Sequence, residues 1–160
     1  TGMAHLFNYA GAPWLTQKWV RKVKAAYSDV TPYGGYRDDE DQGQMGALGV
    51  LMAIGLFEVD GGCAEKPFYE ITSPLFDKVT IHLDNRYYPG KTFQIITVGN
   101  SADNMYIQRA SFNGKKWNKC WFYHEDFIKG GTLELQLGTT PNKKWGIEEF
   151  PPSSVSSDKD

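Results

Sequence analysis

The spacing of apolar residues changes near residue 66, and this change limits the folds that the chain can adopt. Before residue 66, apolar side chains recur every three to four residues, as on one side of a helix; after it, they alternate as in a half-buried strand. Two helices are predicted, over about 13–27 and 43–57, and an antiparallel β unit follows them. The class is therefore α+β, with helices in 1–65, strands in 66–150 and a disordered tail in 151–160.

The two predicted helices differ in their apolar surface. The first is amphipathic, with one apolar side formed by Trp19, Val23, Ala26 and Tyr27. Its other side carries Lys18, Arg21, Lys22 and Lys24. Nearly every residue of the second helix is apolar or small, and a helix that is apolar all round is buried. Because two helices cannot enclose a core, we expect further helices to cover them.

The strand predictions depend on residues two apart in the sequence, which share a face of a strand. Two such sets are Val79, Ile81, Leu83 and Leu133, Leu135, Leu137. Residues 93–98 and 105–112 are predicted as further strands. Asn113-Gly114 is typical of a two-residue hairpin turn, since both residues adopt a positive φ readily.

Composition excludes two classes of function. The chain has 160 residues, a net charge of −2 and a pI near 5.9, which argues against a nucleic-acid partner. No apolar run approaches the roughly 20 residues that a membrane-spanning helix needs. Cys63 and Cys120 match no metal or redox motif. We interpret them as two unpaired thiols, and a disulfide between them stays open.

An acidic run, Asp39-Glu40-Asp41, stands directly before the second predicted helix. Acidic residues in this place commonly satisfy free helix amides and the positive end of the helix dipole. Alternatively, two carboxylates at the rim of a buried helix suit a glycosidase, which needs a base that activates water. A calcium loop is a third interpretation, but the glycine and terminal glutamate of a helix-loop-helix calcium site are missing.

Three blocks of sequence resemble glycoside hydrolase family 92, the calcium-dependent inverting exo-α-mannosidases. The blocks follow the family's order, and they are LFNYAGAPW at 6–14, DEDQGQM at 39–45 with AIGLF at 53–57, and SPLFDKV at 73–79 with HEDFIKGGTL at 124–133. Together they extend over about residues 4 to 142. The resemblance implies an N-terminal β-sandwich and an (α/α)6 barrel. This chain would then supply the last barrel helices and the terminal strands of a larger two-domain enzyme.

The resemblance also implies the chemistry. Asp41 maps to the general base that activates water, and Asp39 to a residue that assists it or orients the water; Glu40 receives no role. The general acid and most calcium ligands would precede Thr1, so we expect this chain alone to be inactive. The implied substrates are glycans with terminal mannose in α-1,2 or related linkages, and the implied location is secreted or periplasmic. The alternative is a non-catalytic carbohydrate-binding or structural β module.

Other candidate residues receive structural interpretations. His5, where the family often has tyrosine, is interpreted as a satisfied polar residue, and His124 as part of a local turn or cap. Trp14 and Trp19 are predicted to lie in the core. Trp117 and Trp121 fall in the strand region, where stacking on a sugar ring stays an open hypothesis.

Overall fold

The computed structural model describes residues 2–27, 35 and 43–153. A 3₁₀ helix spans Gly2–Asn8, helix α1 spans Pro13–Ala26 and helix α2 spans Gln44–Ile54. Pro13 begins α1, where its missing N–H costs no hydrogen bond. Both predicted helices are confirmed, although α2 ends three residues early because Gly55 takes a left-handed conformation and Leu56 starts a strand.

Within the described residues, eight strands and a short third helix follow α2. The strands are β1 Leu56–Phe57, β2 Phe68–Ile71, β3 Lys78–His82, β4 Thr92–Val98, β5 Tyr106–Phe112, β6 Lys115–Lys116, β7 Trp121–Tyr123 and β8 Gly131–Gly138. Helix α3 spans His124–Ile128. One sheet has the order β1-β2-β7, and the other has the order β3-β4-β8-β5-β6.

The prediction of an antiparallel β unit is wrong for one pair of strands. Strand β8 lies between β4 and β5 and runs parallel to β4, with Ile95 opposite Leu133. A parallel pair needs a long crossover connection, which the chain between β4 and β8 supplies. The larger sheet is therefore mixed, while the smaller one is antiparallel.

The hairpin predicted at Asn113-Gly114 is confirmed. Phe112 pairs with Lys115 across it, and both turn residues have positive φ, 50° for Asn113 and 75° for Gly114. These angles match the twist of the flanking strands, so the turn fixes the register of β5 and β6.

The main core lies on the inner face of the larger sheet and against the smaller one. The predicted strand face Leu133, Leu135, Leu137 is buried there. Aromatic rings fill the centre: Phe93 lies 4.8 Å from Phe127 and 5.6 Å from Phe122 between ring centroids. Such close packing of large rings makes this region the most extensively buried part of the fold.

The predicted faces of α1 need correction. Trp19 is 41% exposed, whereas Thr16 and Gln17 are fully buried beside Val20. The reason is a polar contact that apolar spacing does not reveal: Gln17 Oε1 accepts a hydrogen bond from the Ile107 amide at 2.9 Å, beside a bulge in β5. The side of α1 that carries Gln17 therefore faces the larger sheet, and Trp19 faces the surface.

Helix α2 is not buried all round in this chain. Met45, Leu48 and Met52 are buried, and Leu48 and Met52 pack on Val20 of α1, but Val50 on the other side is 61% exposed. The exposed side agrees with the expectation that further helices cover this end.

The two cysteines lie in different surroundings. Cys63 is exposed and Cys120 is buried, and both are free, as the preferred interpretation had it.

No helix in the described ranges is long and apolar enough to cross a membrane. Of the predicted tail, Pro151 to Ser153 are described, and Pro151 is buried; residues 154–160 lie outside the described residues.

Candidate active site

A groove of about 590 Å³ runs beside α2 at the helical end of the molecule. Met3 and Leu6 of the 3₁₀ helix form one wall, and Leu51 of α2 and Phe57 of β1 contribute to the rest. Glu58 also lines the groove, and partial burial raises the pKa of its carboxyl group. The groove thus combines an apolar surface with one carboxyl group that holds its proton more strongly than usual.

The predicted catalytic residues Asp39 and Asp41, with Glu40 between them, lie outside the described residues. The structure describes the two helices on either side of them in the sequence. Tyr27, which ends α1, packs against the small core that Leu48 and Val20 form. Gly43 precedes α2 with a φ of 81°, a value that favours glycine, and Gln44 next to it lines the groove.

A buried polar cluster lies behind the groove, where the 3₁₀ helix meets β2. It consists of His5, Asn8 and Glu70, each at most 1% exposed. Asn8 Nδ2 donates a hydrogen bond to Glu70 Oε2 at 2.5 Å, and His5 Nδ1 lies 3.5 Å from the same oxygen. The His5 ring stacks on Phe57 with centroids 3.8 Å apart. The cluster therefore joins the first sequence block to the wall of the groove.

Glu70 affects the titration of two neighbouring groups. Burial raises the pKa of the Tyr9 hydroxyl, and the neighbouring Glu70 carboxylate raises it further. Burial likewise raises the pKa of Cys120 to about 12, with Glu70 as the second cause. Among the described residues, Glu70 Oε1, Asn8 Oδ1 and both His5 ring nitrogens have no hydrogen-bond partner. His5 therefore has Glu70 as an ion-pair neighbour at 3.5 Å but no hydrogen bond within the described residues, so its prediction as a satisfied polar residue is met only in part.

Arg21 holds the first helix to the third sequence block. Its Nε donates to the Ser73 carbonyl and hydroxyl oxygens, each at 3.1 Å, and its Nη2 donates to the Pro74 carbonyl and to Asn100 Oδ1. Burial lowers the pKa of Arg21. The sequence pattern predicts that Arg21 lies on the basic, solvent-exposed side of α1. This prediction is wrong, because Arg21 is half-buried and its hydrogen bonds connect α1 to the β region.

The second and third blocks meet at Gly55. A Cβ atom at this position would lie 2.5 Å from Pro74 Cγ, and the φ of 81° also favours glycine. The Leu75 amide donates to the Ala53 carbonyl at 2.9 Å. Glycine is therefore required here both for the end of α2 and for the close approach of the third block.

The remaining sequence candidates lie in packed surroundings. His124 begins α3, and its Nδ1 lies 3.1 Å from the Tyr69 hydroxyl, which agrees with its interpretation as part of a local structure. Trp121 is 2% exposed, which leaves no ring face for a sugar. Trp14 and Trp117 are half-buried, and Trp117 Nε1 donates to the Trp121 carbonyl.

Comparison with known proteins identifies the family. The model of the glycosyl hydrolase family 92 catalytic domain matches residues 1–139. The chain belongs to glycosyl hydrolase family 92. The family prediction made from the three sequence blocks is thus confirmed.

Known family 92 structures share the fold of this chain. A family GH92 α-mannosidase from Bacteroides thetaiotaomicron is 30% identical to this chain, with a TM-score of 0.83. The match covers 94% of this chain and 20% of the α-mannosidase chain. A family GH92 inverting mannosidase from the same organism is 36% identical, with a TM-score of 0.83. The match covers 96% of this chain and 20% of that mannosidase chain. An uncharacterized secreted glycosidase of Arthroderma benhamiae is 36% identical, over 92% of this chain and 19% of its length.

This family 92 chain therefore spans about a fifth of the length of these relatives. The described ranges contain no group of three or more His, Cys, Asp or Glu side chains that could hold a metal ion. The expected calcium ion consequently does not fit the described residues alone. Its ligands would have to include residues outside them.

The sequence prediction missed Glu70, the buried carboxylate of this family 92 chain. Its signal is weak but present, because an acidic residue stands between Phe68 and Ile71 in an otherwise apolar strand. A charged residue at an inward strand position needs a partner. That partner, Asn8, is 62 residues away in the sequence, so local patterns do not reveal it.

Proposed function

We propose that this chain is part of an inverting exo-α-mannosidase that removes terminal mannose from glycans, in α-1,2 or related linkages. Asp41 acts as the general base and Asp39 orients the attacking water. The main support is the place of the acidic run in the sequence: only Gln42 separates it from Gly43, and Gln44, the residue after Gly43, lines the groove. Asp41 stands two residues before Gly43, a separation that the chain spans in at most about 7 Å.

In an inverting reaction, water attacks the sugar from the face opposite the leaving group. The acid and base carboxyl groups stand roughly 6.5–9.5 Å apart so that this water fits between base and sugar. Asp41, as the ionised base, takes a proton from the water as the glycosidic bond breaks. The general acid would come from outside the described residues.

Calcium is proposed as the cofactor on the family resemblance alone. When bound, it would hold sugar hydroxyls and favour distortion of the ring toward the transition state. No residue of the described ranges is assigned to it. A mannosidase assay of the intact protein with chelator, followed by calcium addition, tests this role: the activity should fall and then recover.

The helical end is proposed to belong to an (α/α)6 barrel. Helices α1 and α2 would be its last helices, and the exposed side chains of Met3, Leu6 and Val50 would pack against the others. The activity is accordingly proposed for the intact protein, which we expect to be secreted or periplasmic. Assaying the culture fluid and the cell fractions for mannosidase activity tests that location.

The decisive experiment is Asp41→Asn in the intact protein. Loss of the general base should lower kcat by about 10²–10⁴-fold, since this is the usual contribution of a positioned base. Asp39→Asn should lower kcat by less, because its role is to orient the water. Hydrolysis of α-1,2-mannobiose measures both effects.

Asp103→Asn is the matched control, because Asp103 is an exposed aspartate of the loop between β4 and β5. Its activity should equal that of the parent protein. Full mannosidase activity in a folded Asp41→Asn protein would exclude Asp41 as the base. That result would assign the base to another carboxylate of the intact protein, whereas absence of mannosidase activity in the parent protein would favour the alternative of a non-catalytic β module.

The contacts of the strand region weigh against this alternative. Leu56 of β1 lies in the main core, Glu70 needs Asn8 as its partner, and Ser73 binds Arg21. A module cut at residue 66 would lose all three contacts. The β region and the helical end are therefore built to function together.

A further inference from the structure

A second cavity, of about 650 Å³, lies where the β5–β6 edge of the larger sheet meets the segment that follows β8. We call it the cationic cavity, because Arg109, Lys116 and Lys144 line it and no carboxylate does. The concentration of positive charge contrasts with the net charge of −2 for the whole chain. The cavity shares no lining residue with the groove beside α2.

The three cations are available to a ligand. Within the described part of the chain, no side chain forms an ion pair or a hydrogen bond with the charged group of any of them. Neighbouring lysines differ: Lys119 pairs with Glu149 at 2.5 Å, and Lys143 lies over the Trp14 ring at 5.3 Å. The three charged groups that line the cavity are therefore unpaired within the described residues.

The frame of the cationic cavity is fixed by hydrogen bonds to the backbone. Asn142 Nδ2 donates to the Gln108 carbonyl at 2.9 Å, and Gln108 Nε2 donates to the Thr140 carbonyl at 2.8 Å. Trp145, only 3% exposed, lies at the base and donates its indole N–H to the Trp117 carbonyl at 3.0 Å. A frame held in this way loses little conformational freedom when a ligand binds.

The same short sequence brings a lysine to each side of the cavity. Lys115-Lys116-Trp117 follows β5, and Lys143-Lys144-Trp145 follows β8. The indole hydrogen bond described above joins the two copies, and each copy contributes its second lysine to the lining. Two segments far apart in the sequence therefore place Lys116 and Lys144 around one space.

We propose that the cationic cavity binds an acidic carbohydrate, a glycan that carries sulfate or phosphate ester groups. The three cations match an oxyanion, and the side-chain amide of Asn118, which takes no part in the frame, matches a sugar hydroxyl. A nucleic acid fits less well, because single strands stack their bases on exposed aromatic rings. The aromatic residue of the lining, Trp145, is buried. This site is separate from the groove beside α2, and ligand binding at it does not depend on Asp41.

The test measures binding of dextran sulfate, dextran phosphate and neutral dextran to the intact protein by calorimetry. The test variant is Lys116→Gln/Lys144→Gln. The control variant is Lys78→Gln/Lys91→Gln, which removes two positive charges from exposed lysines outside the cavity. We expect the test variant to weaken binding of the charged polymers about tenfold, the effect of two exposed charge contacts, and the control to change it less than twofold.

Neutral dextran should not bind, and affinity for the charged polymers should fall as salt rises. The charged polymer that binds with the higher affinity identifies the ester group, sulfate or phosphate, that the cavity prefers. Asn118→Asp adds a negative charge to the cavity and should weaken binding independently of the lysine variants. The Asp41→Asn protein should bind as the parent does, which separates this site from the proposed hydrolysis.

Two results would overturn the proposal. One is equal weakening in the test and control variants, which would mean that charge attracts the polymers without a specific site. The other is tighter binding of an oligothymidylate than of either charged dextran, which would assign the cavity to nucleic acid.

Discussion

Around Phe93 in the larger sheet, aromatic rings pack on one another and no polar group is needed to complete the contact. Where the 3₁₀ helix meets β2, the buried positions hold His5, Asn8 and Glu70, and Val50 of the nearby helix α2 is exposed. The first region satisfies its side chains within the chain, and the second leaves polar atoms unpartnered among the described residues. This difference indicates that the core around Phe93 is satisfied by its own side chains, whereas the polar cluster leaves hydrogen-bonding atoms without a partner among the described residues.

The sharpest way to test the completeness of the β core is Phe93→Ala. Phe93 is fully buried, so removing its ring should lower the free energy of unfolding by about 3–5 kcal/mol. The matched control is Phe76→Ala, because Phe76 is 51% exposed. Urea unfolding of the intact protein measures both variants. Equal losses in the two would mean that the aromatic core does not carry the stability assigned to it.

The polar cluster is tested by comparing two changes at Glu70. Glu70→Ala leaves Asn8 Nδ2 without its acceptor and should cost about 1–3 kcal/mol. Glu70→Gln keeps an acceptor and removes the charge, and a buried carboxylate is itself costly to hold. We expect its free energy of unfolding to stay within about 1 kcal/mol of the parent value. A loss in Glu70→Gln as large as that in Glu70→Ala would show that the negative charge itself is needed.

The sequence predicted those parts of the fold that local patterns determine. The two helices, the buried face of β8 and the turn at Asn113-Gly114 each follow from residues close together in the chain. The parallel pairing of β4 with β8 does not, since it depends on the path of the crossover between them.

The candidate site was predictable to a smaller extent, for the same reason. Arg21 was placed toward solvent because its partners, Ser73 and Asn100, lie more than fifty residues away in the sequence. Glu70 was overlooked because its environment is formed by the 3₁₀ helix. The roles of Asp39 and Asp41 rest on the family resemblance, and they stay predictions.

The smallest effect expected concerns the place where the β region meets α3. Burial raises the pKa of Tyr69 to about 12, from an ordinary value of 10.0, and its hydroxyl lies 3.1 Å from His124 Nδ1. The folded chain then holds this proton more strongly than the unfolded chain. The resulting stabilisation is fully present below pH 10 and is lost as the pH rises through 12.

Tyr69→Phe should therefore reduce the fall in unfolding free energy between pH 10 and 12. The change should be below about 1 kcal/mol, because Tyr69 is only partly buried and solvent screens its charge. Some fall should persist in the variant, since burial raises the pKa of Cys120 in the same direction, from 9.0 to about 12. Tyr87→Phe, at an exposed tyrosine, is the control. If Tyr69→Phe and Tyr87→Phe gave identical alkaline profiles, the packing of Tyr69 against α3 would not distinguish it from a surface tyrosine.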